Sequence, residues 1–371
     1  MVRGTISHQA GVPKEGQTML MQTDTWTEPR DTVAPPGALS PESTSPTTPA
    51  RGTPPVCTFD LLELIKRFGE LPSSRWPWGV PHEIQVRLLR WRRPTRCTFE
   101  IRILTEGQPH QLIGKVYAAL GEGVYAVMEE LWRAGFNRDA ENSIPQPIAY
   151  LPSMRLLLQE KVEGLEAKKV FQHGDQRSRI EAAERCARWL ARFHAFGPRS
   201  GPPIPIEKVL RNTERRWRVI AELGGDMAAK SERLFRRLEA AARNLETPTF
   251  RPSHGDFGIH NIIFEGKRTV VFDLDGYGLA DPARDVARFI VKLERTGLEF
   301  LGSIRALDRA VEAFIETYVA SGGAPVAERL PFYKAHCCLK SAKMDLTRDR
   351  GLHATDVMLD EGLSTLEWSV A

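Results

Sequence analysis

The segment His254-Gly-Asp256-Phe-Gly-Ile-His-Asn261 is followed twelve residues later by Asp273, in Val-Val-Phe-Asp273-Leu-Asp275. Between them lie two apolar runs, Ile262-Ile-Phe264 and Val270-Val-Phe272, turning at Gly266. Such a pattern predicts a short hairpin, so the segment sets out its polar residues along a strand, a turn and a strand. Asp256, Asn261 and Asp273 then form a set with a chemical use. Phosphoryl transfer asks for a carboxylate to accept the proton of an attacking hydroxyl. It also asks for amide and carboxylate oxygens to hold magnesium against the phosphates.

Bulk properties exclude other classes. A chain of 371 residues, 42% hydrophobic and 26% charged, is long enough for two domains or one large two-lobed domain. The net charge of +4 is mild. Without a run of five basic residues or a zinc spacing, it does not point to nucleic acid. No apolar run reaches the length of a membrane span, and no apolar core follows a basic start in the first thirty residues. The five cysteines are an odd number without CxxC spacing, which predicts reduced thiols and a cytoplasmic setting.

Residues 1–55 hold nine of the 26 prolines, mixed with Ser and Thr, and read as a tail unable to form a core. Helical spacing starts at Phe59. Three strand patterns follow at Ile84–Trp91, Thr98–Leu104 and Gln111–Tyr117, then a helix over Val124–Ala134 and a strand from Arg155. After Gly164 the pattern is mostly helical. Ser178-Arg-Ile-Glu181 has capping-box spacing, and helices are expected around 206–223 and 227–245.

With His254-Gly-Asp256-x4-Asn261, Asp273 and Asp281-Pro-Ala-Arg-Asp285 in this order, the chain resembles the aminoglycoside phosphotransferase and small-molecule kinase family. The resemblance covers roughly residues 98–290. It implies an α+β, protein-kinase-like bilobal fold. Residues 56–163 would form a small antiparallel-sheet N-lobe, and residues 164–371 a mostly helical C-lobe. It implies an ATP- and magnesium-dependent transfer of the γ-phosphate to a hydroxyl of a small molecule.

In that reading Asp256 is the base, and Asn261 and Asp273 hold magnesium. Lys115 touches the nucleotide phosphates, and the backbone around Glu160 and Val162 reads adenine. Leu156 and Leu158 line the adenine pocket or fill the sheet core. His254 is expected to brace its loop, and His260 to face either acceptor or solvent. Asp281 and Asp285 are expected to cap helices and pin the loop. Asp275 is a further metal candidate, since strand alternation puts it on the same side as Asp273. Glu294, Asp345, Asp349 and His353 are acceptor candidates, each more in keeping with a solvated helix residue.

Two departures from the family pattern favour an alternative, a kinase-like binding module with reduced chemistry. Val124 stands where the helix glutamate that pairs with the lysine is expected, with Glu122, Glu129 and Glu130 nearby. The turn Arg93-Pro94-Thr95-Arg96 also lacks glycine. It would hold phosphate by side chains or serve as a plain hairpin tip. Nothing between Asp273 and Asp281 is long enough for a protein-kinase activation segment. The expected partners are a nucleotide and a hydroxylated small molecule; acceptor identity and oligomeric state are not legible.

Overall fold

The computed structural model describes residues 61–92, 96–119, 121–246, 248–346 and 351–367. The Pro-rich tail, the turn residues Arg93, Pro94 and Thr95, and Asp349 lie outside the described residues. In chain order the elements begin with α1 (Leu61–Glu70), β1 (Glu83–Arg92), β2 (Arg96–Leu104), β3 (Pro109–Tyr117) and α2 (Gly121–Arg133). Next come β4 (Asn142–Ser143), β5 (Pro147–Leu151), β6 (Leu156–Glu160), β7 (Leu165–Glu166), α3 (Ala167–His173) and α4 (Gln176–Phe196). Then follow α5 (Ile206–Ala221), α6 (Gly225–Arg243), β8 (Arg251–Ser253), β9 (Ile262–Glu265), β10 (Arg268–Val271) and β11 (Gly278–Ala280). The chain closes with α7 (Ala283–Leu301), α8 (Asp308–Ala320), α9 (Leu330–Leu346) and α10 (Leu352–Glu367).

Contacts divide the chain into two compact units. One ends at Tyr125 and takes up Pro147–Lys161; the other is Ala126–Gln146 with Val162–Ala371. The first unit is an antiparallel sheet in the order β1-β2-β3-β6-β5. On β2 the alternation decides the buried face: Phe99, Ile101 and Ile103 are buried while Arg102 and Leu104 are exposed. The buried face joins Leu64 and Phe68 of α1 in one core, which also holds Leu156 and Leu158. Both leucines therefore fill the sheet core. Gly114 on β3 is there because space demands it. A Cβ would lie 2.7 Å from Ile101 Cδ1 and 3.1 Å from Leu156 Cδ1.

The second unit is mostly helical. Its strands form a four-stranded sheet, β4-β10-β9-β7, and the separate pair β8-β11. Helix α4 is its central apolar element. Trp189, fully buried, stacks on Phe193 and on Phe257, at 4.9 and 5.6 Å between ring centroids. Its indole N–H donates to Ser143 O at 2.9 Å, so the largest core side chain leaves no polar atom unpaired.

Several expectations are corrected. The start of α4 is not a capping box at Ser178; the cap is Asp175, whose carboxylate accepts from Ser178 N at 2.8 Å. Both residues are good N-caps, but α3 ends at Gly174, so Asp175, three residues before Ser178, takes the cap. Cys186, Cys337 and Cys338 are buried free thiols, whereas Cys97 is disulfide-bonded, against the reduced-thiol expectation. Its bond leaves no local spacing in the sequence by which to foresee it. Asp345 and Glu294 are not solvated. Asp345 is 1% exposed and accepts both Arg295 Nε contacts at 3.1 Å, and Glu294 is 2% exposed with Lys334 Nζ at 2.6 Å. Among the described residues, no helix is long and apolar enough to cross a membrane.

Candidate active site

Two ladders bring the motif together. The β8-β11 pair sets Ser253 opposite Gly278, and the β9-β10 hairpin sets Ile262 opposite Val271. The loop 254–261 thus leaves one ladder and enters the other, and the loop 272–277 returns between them. At the hairpin base Phe272 N donates to Asn261 O at 3.0 Å. Asn261 and Asp273 are therefore held at the same end of one hairpin.

Three side chains brace the first loop from within. His254 is fully buried, and burial lowers its pKa, so the imidazole is neutral. Its Nε2 lies 3.1 Å from Phe272 O, and its Nδ1 accepts from Asp256 N at 3.3 Å. One tautomer, protonated at Nε2, serves both contacts. Asn261 Nδ2 donates to Asp256 O at 3.0 Å. Phe257, also fully buried, anchors the loop between Trp189 and Phe289.

The loops cross closely at Gly255. Its φ is +75°, and a Cβ there would lie 2.0 Å from Gly276 O. Only glycine suits that left-handed turn and that approach. Asp285, at the start of α7, supports the crossing from below. Its carboxylate accepts from His254 N at 2.8 Å and Gly255 N at 3.2 Å, and His194 Nε2 stands 3.5 Å away. Asp281 accepts from Ala283 N at 2.9 Å and pairs with Arg329 at 2.9 Å. Both aspartates brace the fold, one by pinning the loop and one by capping.

The Asp256 carboxylate is 46% exposed, and its Oδ1 lies 3.5 Å from Arg288 Nη1. Burial pushes its pKa up, but Arg288, Lys292 and Lys340 outweigh that and hold it below the usual carboxylate range. Asp273 is half-buried in the left-handed region at φ +69°, a conformation costing about 1–2 kcal/mol for a residue with a side chain. The chain then enters a 3-10 turn, Leu274–Gly276, rather than a strand. Alternation consequently does not carry Asp275 to the side of Asp273; Asp275 is exposed on the turn. His260 is exposed and lines a pocket with Lys168, Lys292 and Arg295, and His353 is exposed on α10.

In the sheet unit, Lys115 is 5% exposed on β3, opposite Thr98 on one side and Leu157 on the other. Glu160 pairs with Leu112 on the neighbouring strands, and Val162 opens the second unit. Val124 is buried, Glu122 is exposed, and Glu130 accepts from Ser200 at 3.2 Å.

Sequence reasoning overlooked the basic residues around Asp256. Arg284, Arg288 and Lys292 recur every fourth residue along α7, a spacing that puts them on one helix face. That spacing was the signal available.

A family model for the phosphotransferase enzyme family, APH, matches residues 101–330. The chain belongs to that phosphotransferase family. Similar solved structures include a choline kinase from Cryptosporidium parvum Iowa II. That one has TM-score 0.58 and 12% identity, covering 84% of this chain and 96% of that one. A choline/ethanolamine kinase family protein from Mesorhizobium loti has TM-score 0.53 at 13% identity, covering 83% and 94%. A thermostable mutant of the aminoglycoside phosphotransferase APH(4)-Ia has TM-score 0.53 at 14% identity, covering 82% and 97%. The same enzyme has been solved in a ternary complex with ADP and hygromycin B. No curated protein sequence gives a significant match. The family member's fold is thus the protein-kinase-like α+β fold of small-molecule kinases, with an antiparallel-sheet N-terminal part and a helical C-terminal part.

Proposed function

We propose that this phosphotransferase moves the γ-phosphate of ATP to a hydroxyl of a small molecule in the cytoplasm, with Asp256 as the base. The observation that carries the reading is the bracing of Asp256, Asn261 and Asp273 on two crossed loops, in a chain of this family. Asp256 is accessible and ionised near neutral pH, so it can accept the hydrogen bond of an approaching hydroxyl and orient it for attack. The residues 56–163 and 164–371 serve as nucleotide-side and acceptor-side lobes in this reading.

The donor set fits magnesium. Asn261 commits its amide nitrogen to Asp256 O, which leaves Oδ1 as the ligand atom, and Asp273 offers a carboxylate. Both are hard oxygen donors of the kind this ion takes together with phosphate oxygens. When bound, magnesium would neutralise charge on the phosphates. Lys115 adds a fixed positive charge for the phosphates, and backbone groups at Glu160 and Val162 receive adenine. The backbone strain at Asp273 supports a functional role, since such strain persists where structure over-determines it.

Slow ATP hydrolysis without an acceptor tests the base. Asp256→Asn is expected to lose about 10²–10⁴-fold of the rate while keeping nucleotide affinity. Equal rates would refute the assignment.

A further inference from the structure

Beside Asp256 lies a concentration of positive charge larger than that one carboxylate needs. Helix α7 supplies Arg284 and Arg288, and α9, which packs against it, supplies Lys340. Helix α5, packed on α9 in turn, supplies Arg216. Four cations thus converge, with Lys292 one turn beyond Arg288.

The fold does not discharge them. Arg288 is 5% exposed, yet its Nε has no hydrogen-bond partner, and its Nη1 reaches Asp256 only at 3.5 Å. Arg284 Nε and Arg216 Nη1 are also buried without a partner, and Arg284 Nη1 touches Ser253 Oγ only at 3.5 Å. The acidic groups within reach are Asp256, which faces the reaction, Asp285, which is held by His254 N, Gly255 N and His194 and also faces Arg284, and the Cys337 thiol beside Arg288. Burying guanidinium groups whose nitrogens are only partly hydrogen-bonded is costly, and like charges four residues apart on a helix repel. Lys340 records the same field: burial first, then Arg288 beside it, bring its pKa down to about 7. Arg216, Arg284 and Lys340 are half-buried, so part of each stays within reach of a ligand.

We propose that the acceptor is a hydroxy compound bearing an oxyanion, carboxylate or phosphate, which Arg216, Arg284, Arg288 and Lys340 receive while its hydroxyl meets Asp256. Guanidinium groups bind such oxyanions through paired, charge-assisted hydrogen bonds. A cationic acceptor of the choline or aminoglycoside type meets repulsion at the same place. The substrate class rests on the phosphotransferase reading above; the anion site stands on the geometry of the helical unit alone.

The test is calorimetric titration of inorganic phosphate and, separately, succinate into the full chain saturated with AMP-PNP and magnesium. The same titrations are run on the nucleotide-free chain and on Arg284→Met, Arg216→Met and Lys340→Met. Saturable binding of either anion, weakened at least about tenfold in the variants, is expected, since one charge-assisted bond contributes about 1.5–3 kcal/mol. Phosphate alone points to a phosphomonoester acceptor, succinate alone to a hydroxy acid, and both to the shared oxyanion. Arg216→Met is expected to keep or raise the melting temperature, because it relieves repulsion from Arg284 and Arg288; a purely structural arginine would lower it. Three results would overturn the proposal: no saturable anion binding, binding unchanged in all three variants, or tighter binding of choline or hygromycin B than of either anion. Failure of AMP-PNP to bind would count against the nucleotide reading, and the nucleotide-free titration would still decide the anion site.

Discussion

Arg288 Nη1 stands 3.5 Å from Asp256 Oδ1, and Arg288 is itself 95% buried on α7. A buried guanidinium against a half-exposed carboxylate fixes where that carboxylate points and keeps it ionised. It also binds the loop of the base to the helix that carries the other cations.

The first prediction concerns pH. Burial alone would raise the Asp256 pKa; Arg288, Lys292 and Lys340 bring it below the ordinary value. The ionised base is therefore available down to low pH. Arg288→Met removes the nearest of these charges, so the Asp256 pKa rises and the acid limb of the kcat/KM profile moves to higher pH. A profile with an unmoved acid limb would show that Arg288 does not control the base.

A second prediction concerns Asp285. Burial pushes it up, but His194 and Arg284 outweigh burial and hold the carboxyl well below the usual range. A depressed folded pKa contributes stability above the unfolded value, near pH 4, and that stability is lost as pH falls through the folded value. Asp285→Asn should accordingly destabilise the chain at neutral pH by about 3–5 kcal/mol, with the deficit shrinking in acid. Urea melts at neutral and acid pH measure this; a deficit that is constant with pH would contradict it.

A third prediction addresses Gly255. Alanine there meets Gly276 O at 2.0 Å and must hold a left-handed backbone. The backbone alone costs about 1–2 kcal/mol, and the clash adds to it. Thermal melting should show a fall of several degrees, together with loss of activity from the displaced loop. A variant as stable and active as the parent would mean that the crossing is loose.

The fourth separates structure from acceptor binding at Asp345. Removing one partner of its buried pair with Arg295, as in Asp345→Leu, should cost about 3–5 kcal/mol. Replacing both, Arg295→Met with Asp345→Leu, should restore most of it. Restored stability would mark the pair as a structural ion pair; continued loss would point to another partner for one of the two.

Much of the fold was legible where a single periodicity rules. Strands β1 and β2 alternate because one face meets the core under α1 and the other is more exposed, whereas β3 is buried on both faces from Gly114 to Tyr117. The β9-β10 hairpin was legible for a different reason, a glycine turn between two β-branched runs. Strand β5 was not: Pro147, Ile148, Ala149 and Leu151 are all buried, so the alternation that announces a strand is missing. The buried pairs were hidden because their partners are far apart in sequence. Arg295 meets Asp345 fifty residues on, and Lys334 meets Glu294 across two helices. A lone carboxylate in a helical pattern reads as solvated until its partner is known. Asp275 was misread because a left-handed residue, Asp273, ends the strand before alternation can act.

The most direct test of the phosphotransferase account is calorimetric titration of ATP with and without magnesium, into the parent chain and Asp273→Asn. The account predicts binding that strengthens with magnesium in the parent and loses that dependence in Asp273→Asn. No binding, or binding indifferent to both magnesium and Asp273, would contradict it and leave a kinase-like binding module in its place.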